Sequence, residues 1–259
     1  MVPIDDPADP RVDAYRHLRA RESAEVLWAE GPTVLARLLA SPHRVRSVLL
    51  STAAHQRLGD GLAGLDAPVY VAAQSVVNAI VGFDLHRGTI AVADRPSLTP
   101  LSDVLRTARR VLVLEGLNDA ENLGAIARSA RGLGVDALVL DPTCADPWYR
   151  RTVRVSMGEV LHLAIARTPI ADGLDALASA GFAIWALTPR RDADDIGRVA
   201  REGVPERLAL VLGAEGPGLS EAVLSRQRNV RIPLRDEVDS LNVGHAAAAA
   251  LAVVQSSTP

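Results

Sequence analysis

Short apolar runs recur along the chain, separated by charged and turn-forming residues. In the second half they are nearly continuous: VLVLEGL from Val111, DALVLD from Asp136, LHLAIA from Leu161, FAIWALT from Phe182 and RLALVLG from Arg207. Such short unalternated runs read as strands buried on both faces. Between them lie stretches with helical spacing, Asn122 to Leu133 and Asp172 to Ala180, and a segment around Trp148 to Val155. Strand and helix in alternation predict a mostly parallel sheet covered on both faces.

The first half has the same ingredients on a smaller scale. RVRSVLLST (Arg44 to Thr52), APVYVAA (Ala67 to Ala73) and RGTIAVADRP (Arg87 to Pro96) read as strands. A helix is expected over Thr33 to Ala40, between a Gly31-Pro32 start and a Ser41-Pro42 stop, and another near SVVNAIVGF. Residues 1 to 10 read as a disordered lead-in, and Arg11 to Arg21 as a short polar helix. The proline-marked stretch Arg95 to Ala108 suggests a boundary, giving domains 1–98 and 99–259.

Three segments carry candidate chemistry. Leu208 to Ser220 (LALVLGAEGPGLS) is a buried strand emptying into a glycine loop. Val230 to Val254 is a short strand stopped by Pro233, a charged loop ending Ser240-Leu241-Asn242, and an alanine-rich helix. Asn122-Leu123-Gly124-Ala125-Ile126-Ala127-Arg128 follows the strand VLVLEG, and Asn122 could cap the helix there. In order and content these three resemble the motifs of the SpoU (TrmH-like) methyltransferases of the SPOUT superfamily. The resemblance covers roughly half the chain. It implies an α/β catalytic domain closed by a deep trefoil knot, against the general rule that chains do not thread themselves. It also implies a homodimer, S-adenosylmethionine as cofactor, and methylation of a ribose 2′-hydroxyl in ribosomal or transfer RNA. The smaller N-terminal α/β pattern, ending GFDLHRGTIAV, resembles the accessory domain that often precedes this one and is built like ribosomal proteins that bind kinked RNA.

Composition narrows the picture without deciding it. Apolar residues make up 48% and aromatics 3%, which disfavours aromatic base-stacking as the main mode of recognition. Net charge is −3, so charge alone gives no support for RNA binding. There is no lysine, and all 28 basic residues are arginine, whose planar fork suits phosphates and base edges. One cysteine, Cys144, rules out an internal disulfide, and six scattered histidines show no metal-ligand spacing. No apolar run is long enough for a membrane helix and no export signal is visible, so a cytoplasmic location is expected.

By resemblance, Asn122, Arg128, Glu215, Ser240 and Asn242 are the expected catalytic set. Gly213, Ala214, Gly218, Ile232, Leu234 and Leu241 are the expected cofactor contacts. Arginine stays protonated in proteins, so Arg128 fits orienting the 2′-hydroxyl and stabilising charge rather than accepting the proton. Glu215 disfavours a phosphate cradle in the glycine loop, whereas a sulfonium without phosphates tolerates it. Arg87, with the dense cluster Arg150, Arg151 and Arg154, is expected to meet RNA; three neutralised phosphates would give a salt slope of about −2 to −3. The family usually reads Asn-Val-Ser where this chain has Asn242-Val243-Gly244-His245, which removes a hydroxyl. That departure keeps open an RNA-binding protein that has lost activity. A dinucleotide dehydrogenase is disfavoured, because no strand leads into G-x-G-x-x-G at a helix start.

Overall fold

The computed structural model describes residues 1–16, 18 and 23–257. The chain divides into two compact units, Met1–Pro96 with Trp148–Leu161, and Ser97–Pro147 with His162–Pro259.

In the first unit β1 (Val2–Pro3), β2 (Val26–Glu30), β3 (Val45–Ser51), β4 (Val69–Ala72) and β5 (Thr89–Asp94) form one sheet, ordered β1-β4-β3-β5-β2. β1, β4 and β3 run parallel, while β5 is antiparallel to both β3 and β2. Helices α1 (Pro32–Leu39), α2 (Thr52–Leu58) and α3 (Gln74–Val81) join the strands. The expected disordered lead-in is instead ordered: Val2 pairs with Tyr70, Pro3 with Val71, and Ile4 is buried. Two apolar side chains spaced by two reach the core from an extended segment. The aspartates and prolines around them hid that signal. The expected polar helix over Arg11 to Arg21 is a 3-10 helix, Pro10–Tyr15, with Val12 and Tyr15 buried; His17 and residues 19–22 lie outside the described residues. The Tyr15 hydroxyl shares a hydrogen bond of 2.7 Å with Ser47 Oγ, so this buried polar pair is satisfied.

The second unit alternates throughout. Its elements begin α4 (Leu101–Thr107), β6 (Arg110–Glu115), α5 (Ala120–Gly132) and β7 (Ala137–Leu140). The chain then leaves for α6 (Arg150–Val155), which groups with the first unit and packs on β2. It returns as β8 (Ala164–Arg167), α7 (Ile170–Ser179), β9 (Ala183–Leu187), β10 (Asp194–Asp195) and α8 (Ile196–Glu202). Last come β11 (Leu208–Gly213), α9 (Glu221–Leu224), β12 (Arg228–Arg231) and α10 (Val243–Ser256). The sheet order is β10-β12-β9-β11-β6-β7-β8, and every pair is parallel.

Both faces of this sheet are covered, as the unalternated runs require. Val111, Val113, Val139 and Val211 pack with Val104, Leu174, Leu177 and Val223 of α4, α7 and α9. Leu112, Leu114, Leu138, Leu140, Leu210 and Leu212 point the other way and are equally buried. At about 25 cal/mol per Å² of apolar surface, each such leucine contributes roughly 2 kcal/mol relative to exposure. α10 packs along α5 and against α8. From β6 the chain steps outward to β7 and β8, then starts again at β9 beyond β11, so strand order reverses between β6 and β11. In open parallel sheets, ligands bind beyond the carboxyl ends of strands at such a reversal.

Candidate functional site

A cavity of about 370 Å³ lies beyond the carboxyl ends of β9, β11 and β12, and α10 begins beside it. Gly213, Ala214, Glu215 and Gly218 line it from the loop after β11, Ile232 and Leu234 from the segment after β12, and Ser240, Leu241 and Asn242 from the approach to α10. All six expected cofactor contacts are therefore brought together, with three of the five expected catalytic residues. Leu187, Thr188 and Pro189 complete the wall. The motifs did not point to them, but their place directly after a central strand of the same sheet edge is a usable signal.

Each wall has a local cause. The glycine loop returns on itself: Gly218 N–H donates to the Ala214 carbonyl (3.1 Å), and Ala214 bridges Gly218. A Cβ on Gly213 would fall 2.1 Å from the Gly218 carbonyl carbon, so only glycine permits this return. Among the described residues no arginine lines the cavity, and the one ionisable group there is Glu215 at the exposed rim. Apolar walls without a cation fit a nucleoside lacking phosphates, and the carboxylate suits a positive centre. Leu241 is 40% exposed, an apolar side chain held open to solvent at the cavity mouth.

The second feature is a three-residue amide and carboxylate network. Asn242 is the N-cap of α10, its Oδ1 accepting from the N–H of Gly244 (2.9 Å) and His245 (3.4 Å). That capping fixes which way its amide faces. Its Nδ2 then donates to Asn122 Oδ1 (2.9 Å) and to Glu215 Oε1. Asn242 thus spends both amide protons joining α5 to the glycine loop, while Asn122 Nδ2 has no partner among the described residues. The expected capping role of Asn122 is corrected. Asp119 caps α5, accepting from the N–H of Glu121 and Asn122 at 2.8 Å each, and frees the Asn122 side chain for the site. Sequence reading placed the helix start two residues late, because α5 begins at Ala120.

Arg128 does not line the cavity. It is exposed on α5, six residues beyond Asn122, and makes no ion pair among the described residues. Six residues of helix advance roughly 9 Å and turn it away from the Asn122 face. Gly244, where the family usually carries serine, is buried at the α5–α10 contact. A Cβ there would meet Ala125 Cβ at 3.3 Å and Asn242 Oδ1 at 3.2 Å, so a larger residue is crowded. His245 is exposed. Cys144 is buried and its thiol is pushed up to about 11 by burial, which keeps it from acting as a thiolate.

The expected RNA-binding arginines fall in the first unit. Arg87 and His86 sit on a turn held by Asn78, whose Oδ1 accepts the Leu85 N–H (3.0 Å) and whose Nδ2 donates to Asp84 Oδ1 (3.0 Å). Gln74 Nε2 donates to the Leu85 carbonyl (3.0 Å). These three bonds hold the turn, and Arg87 is exposed without an ion pair among the described residues. Arg154 is half exposed and reaches Glu30 at 3.4 Å, while Arg151 is exposed. Arg150 differs. It pairs with Glu30, stacks over Phe83 at 5.0 Å, and its side chain is 16% exposed. Arg87, Arg154 and Phe83 share the lining of one hollow in this unit.

Among the described residues no cluster of His, Cys, Asp or Glu could hold a metal ion, and no helix is long and apolar enough to cross a membrane.

Comparison with known proteins follows the same lines. The model of the SpoU rRNA Methylase family matches residues 109–252. An uncharacterized tRNA/rRNA methyltransferase of Mycobacterium tuberculosis is 43% identical over 95% of this chain and 88% of its own length. The 23S rRNA (guanosine(2553)-2′-O)-methyltransferase of Bacillus subtilis is 26% identical over 96% of this chain and 97% of its own. The crystal structure of an AdoMet-bound rRNA methyltransferase from Sinorhizobium meliloti superposes with a TM-score of 0.82 at 22% identity, covering 98% of this chain and 97% of that one. With the family model spanning more than half the chain and the fold shared almost end to end, this chain belongs to the SpoU rRNA methylase family.

Proposed function

We propose that this chain transfers a methyl group from S-adenosylmethionine to a ribose 2′-hydroxyl of a structured RNA, ribosomal or transfer. The observation that carries the reading is the Asn122–Asn242–Glu215 network at the rim of an apolar, cation-free cavity. When bound, the cofactor supplies an electrophilic methyl on a sulfonium. The chain's own residues do the rest. Ile232, Leu234 and Leu241 hold the nucleoside by packing, and the Gly213 backbone approaches it closely. Glu215 and Asn242 set the rim, where Ser240 and the uncommitted Asn122 Nδ2 face the ribose. Arg128 serves the RNA side, orienting the hydroxyl and stabilising charge. A nucleophile held in line with the methyl can draw about 7–11 kcal/mol from orientation alone.

In this reading the first unit anchors RNA, with Arg87, Arg154 and Arg151 as phosphate contacts. Arg150 instead fixes α6, because its guanidinium is already engaged by Glu30 and Phe83. The protein works as a cytoplasmic homodimer, and the segment from β12 to α10 passes through a trefoil knot.

A second reading, a family member that binds RNA without transfer, is favoured by Gly244 alone. Titration by calorimetry with S-adenosylmethionine and NAD tests the cofactor. Saturable one-to-one binding of the former and none of the latter is expected. The reverse would overturn the assignment of the cavity.

A further inference from the structure

We propose that Glu115, a residue no motif assigns, is a positioning residue that holds the glycine loop in its working shape. Its catalytic consequence rests on the methyltransferase reading above. Its structural consequence does not.

Glu115 ends β6 directly opposite Gly213 in the β11 register. Its Oε2 accepts the Ser220 N–H at 2.9 Å, where the glycine loop leaves for α9. Among the described residues only two side-chain hydrogen bonds tie residues 214–220 to chain outside the loop and α9: this one, and that from Asn242 to Glu215. The second joins site residues to each other. Glu115 is therefore a polar anchor of the loop on the sheet, beside the buried Leu219, and Glu215 rides on that loop.

Glu115 is itself held. Gly116 is left-handed, with φ 67°, and donates its N–H to Asp141 Oδ2 at 3.0 Å. A Cβ on Gly116 would touch Ala214 Cβ at 3.5 Å, so the two turns lie in contact. Burial pushes the Asp141 carboxyl up. Hydrogen bonds from Thr143, Gly116 and Cys144 outweigh it and leave the group below the usual carboxylate range. Three carboxylates thus act in series across the carboxyl ends of the strands. Asp141 fixes the turn after β6, Glu115 fixes the loop after β11, and Glu215 fixes Asn242 at the start of α10. A chain of acceptors reaching from β7 to α10 gives the cofactor cavity and Asn122 a common frame, so that loosening one link moves the groups beyond it.

Three substitutions isolate the bond. Glu115→Ala removes the acceptor, while Glu115→Gln keeps an oxygen that can accept the same N–H. Ser220→Pro removes the donor, and the Ser220 φ of −65° is the value proline adopts. Amide exchange of residues 214–219 should accelerate in Glu115→Ala and Ser220→Pro and stay near wild type in Glu115→Gln. With saturating cofactor, kcat/KM for RNA should fall about 10²-fold in the first two, as expected for a displaced catalytic group, with no further loss when they are combined. Wild-type exchange in both disrupting variants would overturn the proposal, as would a Gln variant as impaired as Ala. Absence of methyl transfer in the unmutated protein would instead overturn the functional reading, and the exchange comparison would still decide the role of Glu115.

Discussion

Asn242 shows how one side chain can serve stability and chemistry together. Its oxygen caps α10 and its amide protons join Asn122 to Glu215. Arg128 is the opposite case, an exposed arginine that no ion pair holds among the described residues. If it serves the ribose, Arg128→Ala should leave S-adenosylmethionine affinity unchanged, since Arg128 does not line the cavity. Single-turnover methylation should fall by about 10²–10³. Arg128→Lys should recover little, because a point charge does not replace a planar fork. A normal rate in the alanine variant would remove Arg128 from the mechanism. Residue types at motif spacing made Asn122, Glu215, Ser240 and Asn242 legible in the sequence, and the structure gathers them. Glu115 and Asp141 were not legible, because a carboxylate at a strand end is ordinary until the partner N–H, here from a distant loop, is known. The cause of the Gly244 departure was hidden for the same reason: Ala125, the neighbour it must clear, lies on another helix.

At the scale of elements, six of the seven strands of the parallel sheet were readable as short apolar runs bounded by turn residues, while β10, two aspartates, carries no such signal. Helix ends were less so, as the Asp119 cap of α5 shows. The larger miss was α6. Its sequence position places it between two strands of the second unit, yet Trp148–Leu161 groups with the first, burying Trp148, Val153, Val160 and Leu161. Nothing in local periodicity reports which distant core an amphipathic segment joins. The division at 98/99 read from proline content thus differs from the compact units, whose first boundary falls between Pro96 and Ser97 and the first of which includes the strap of residues 148–161. A fragment cut at Ser97 would carry the strap with its apolar side uncovered. It should aggregate or lose solubility, whereas the same fragment with residues 148–161 replaced by a glycine-serine linker should stay monodisperse or dimeric by light scattering. Equal behaviour of the two fragments would contradict the assignment of the strap to the first core.

For the whole molecule, net charge is a poor guide. A chain at −3 can still meet RNA if some of its arginines share a face, and Arg87 and Arg154 line one hollow. Replacing both with alanine should weaken RNA binding by lowering the salt slope by about 2, one for each lost phosphate contact. An unchanged slope would move the anchor elsewhere. The central claim, methyl transfer to a ribose 2′-hydroxyl, has a more direct test. The full chain is incubated with methyl-labelled S-adenosylmethionine and ribosomal or transfer RNA from cells lacking the gene, and the product is hydrolysed in alkali. A 2′-O-methyl group blocks cleavage of the adjacent phosphodiester, so the label should appear in an alkali-resistant dinucleotide. Label recovered in single nucleotides would place the methyl on a base and contradict the account, as would no label at all in RNA that the protein binds.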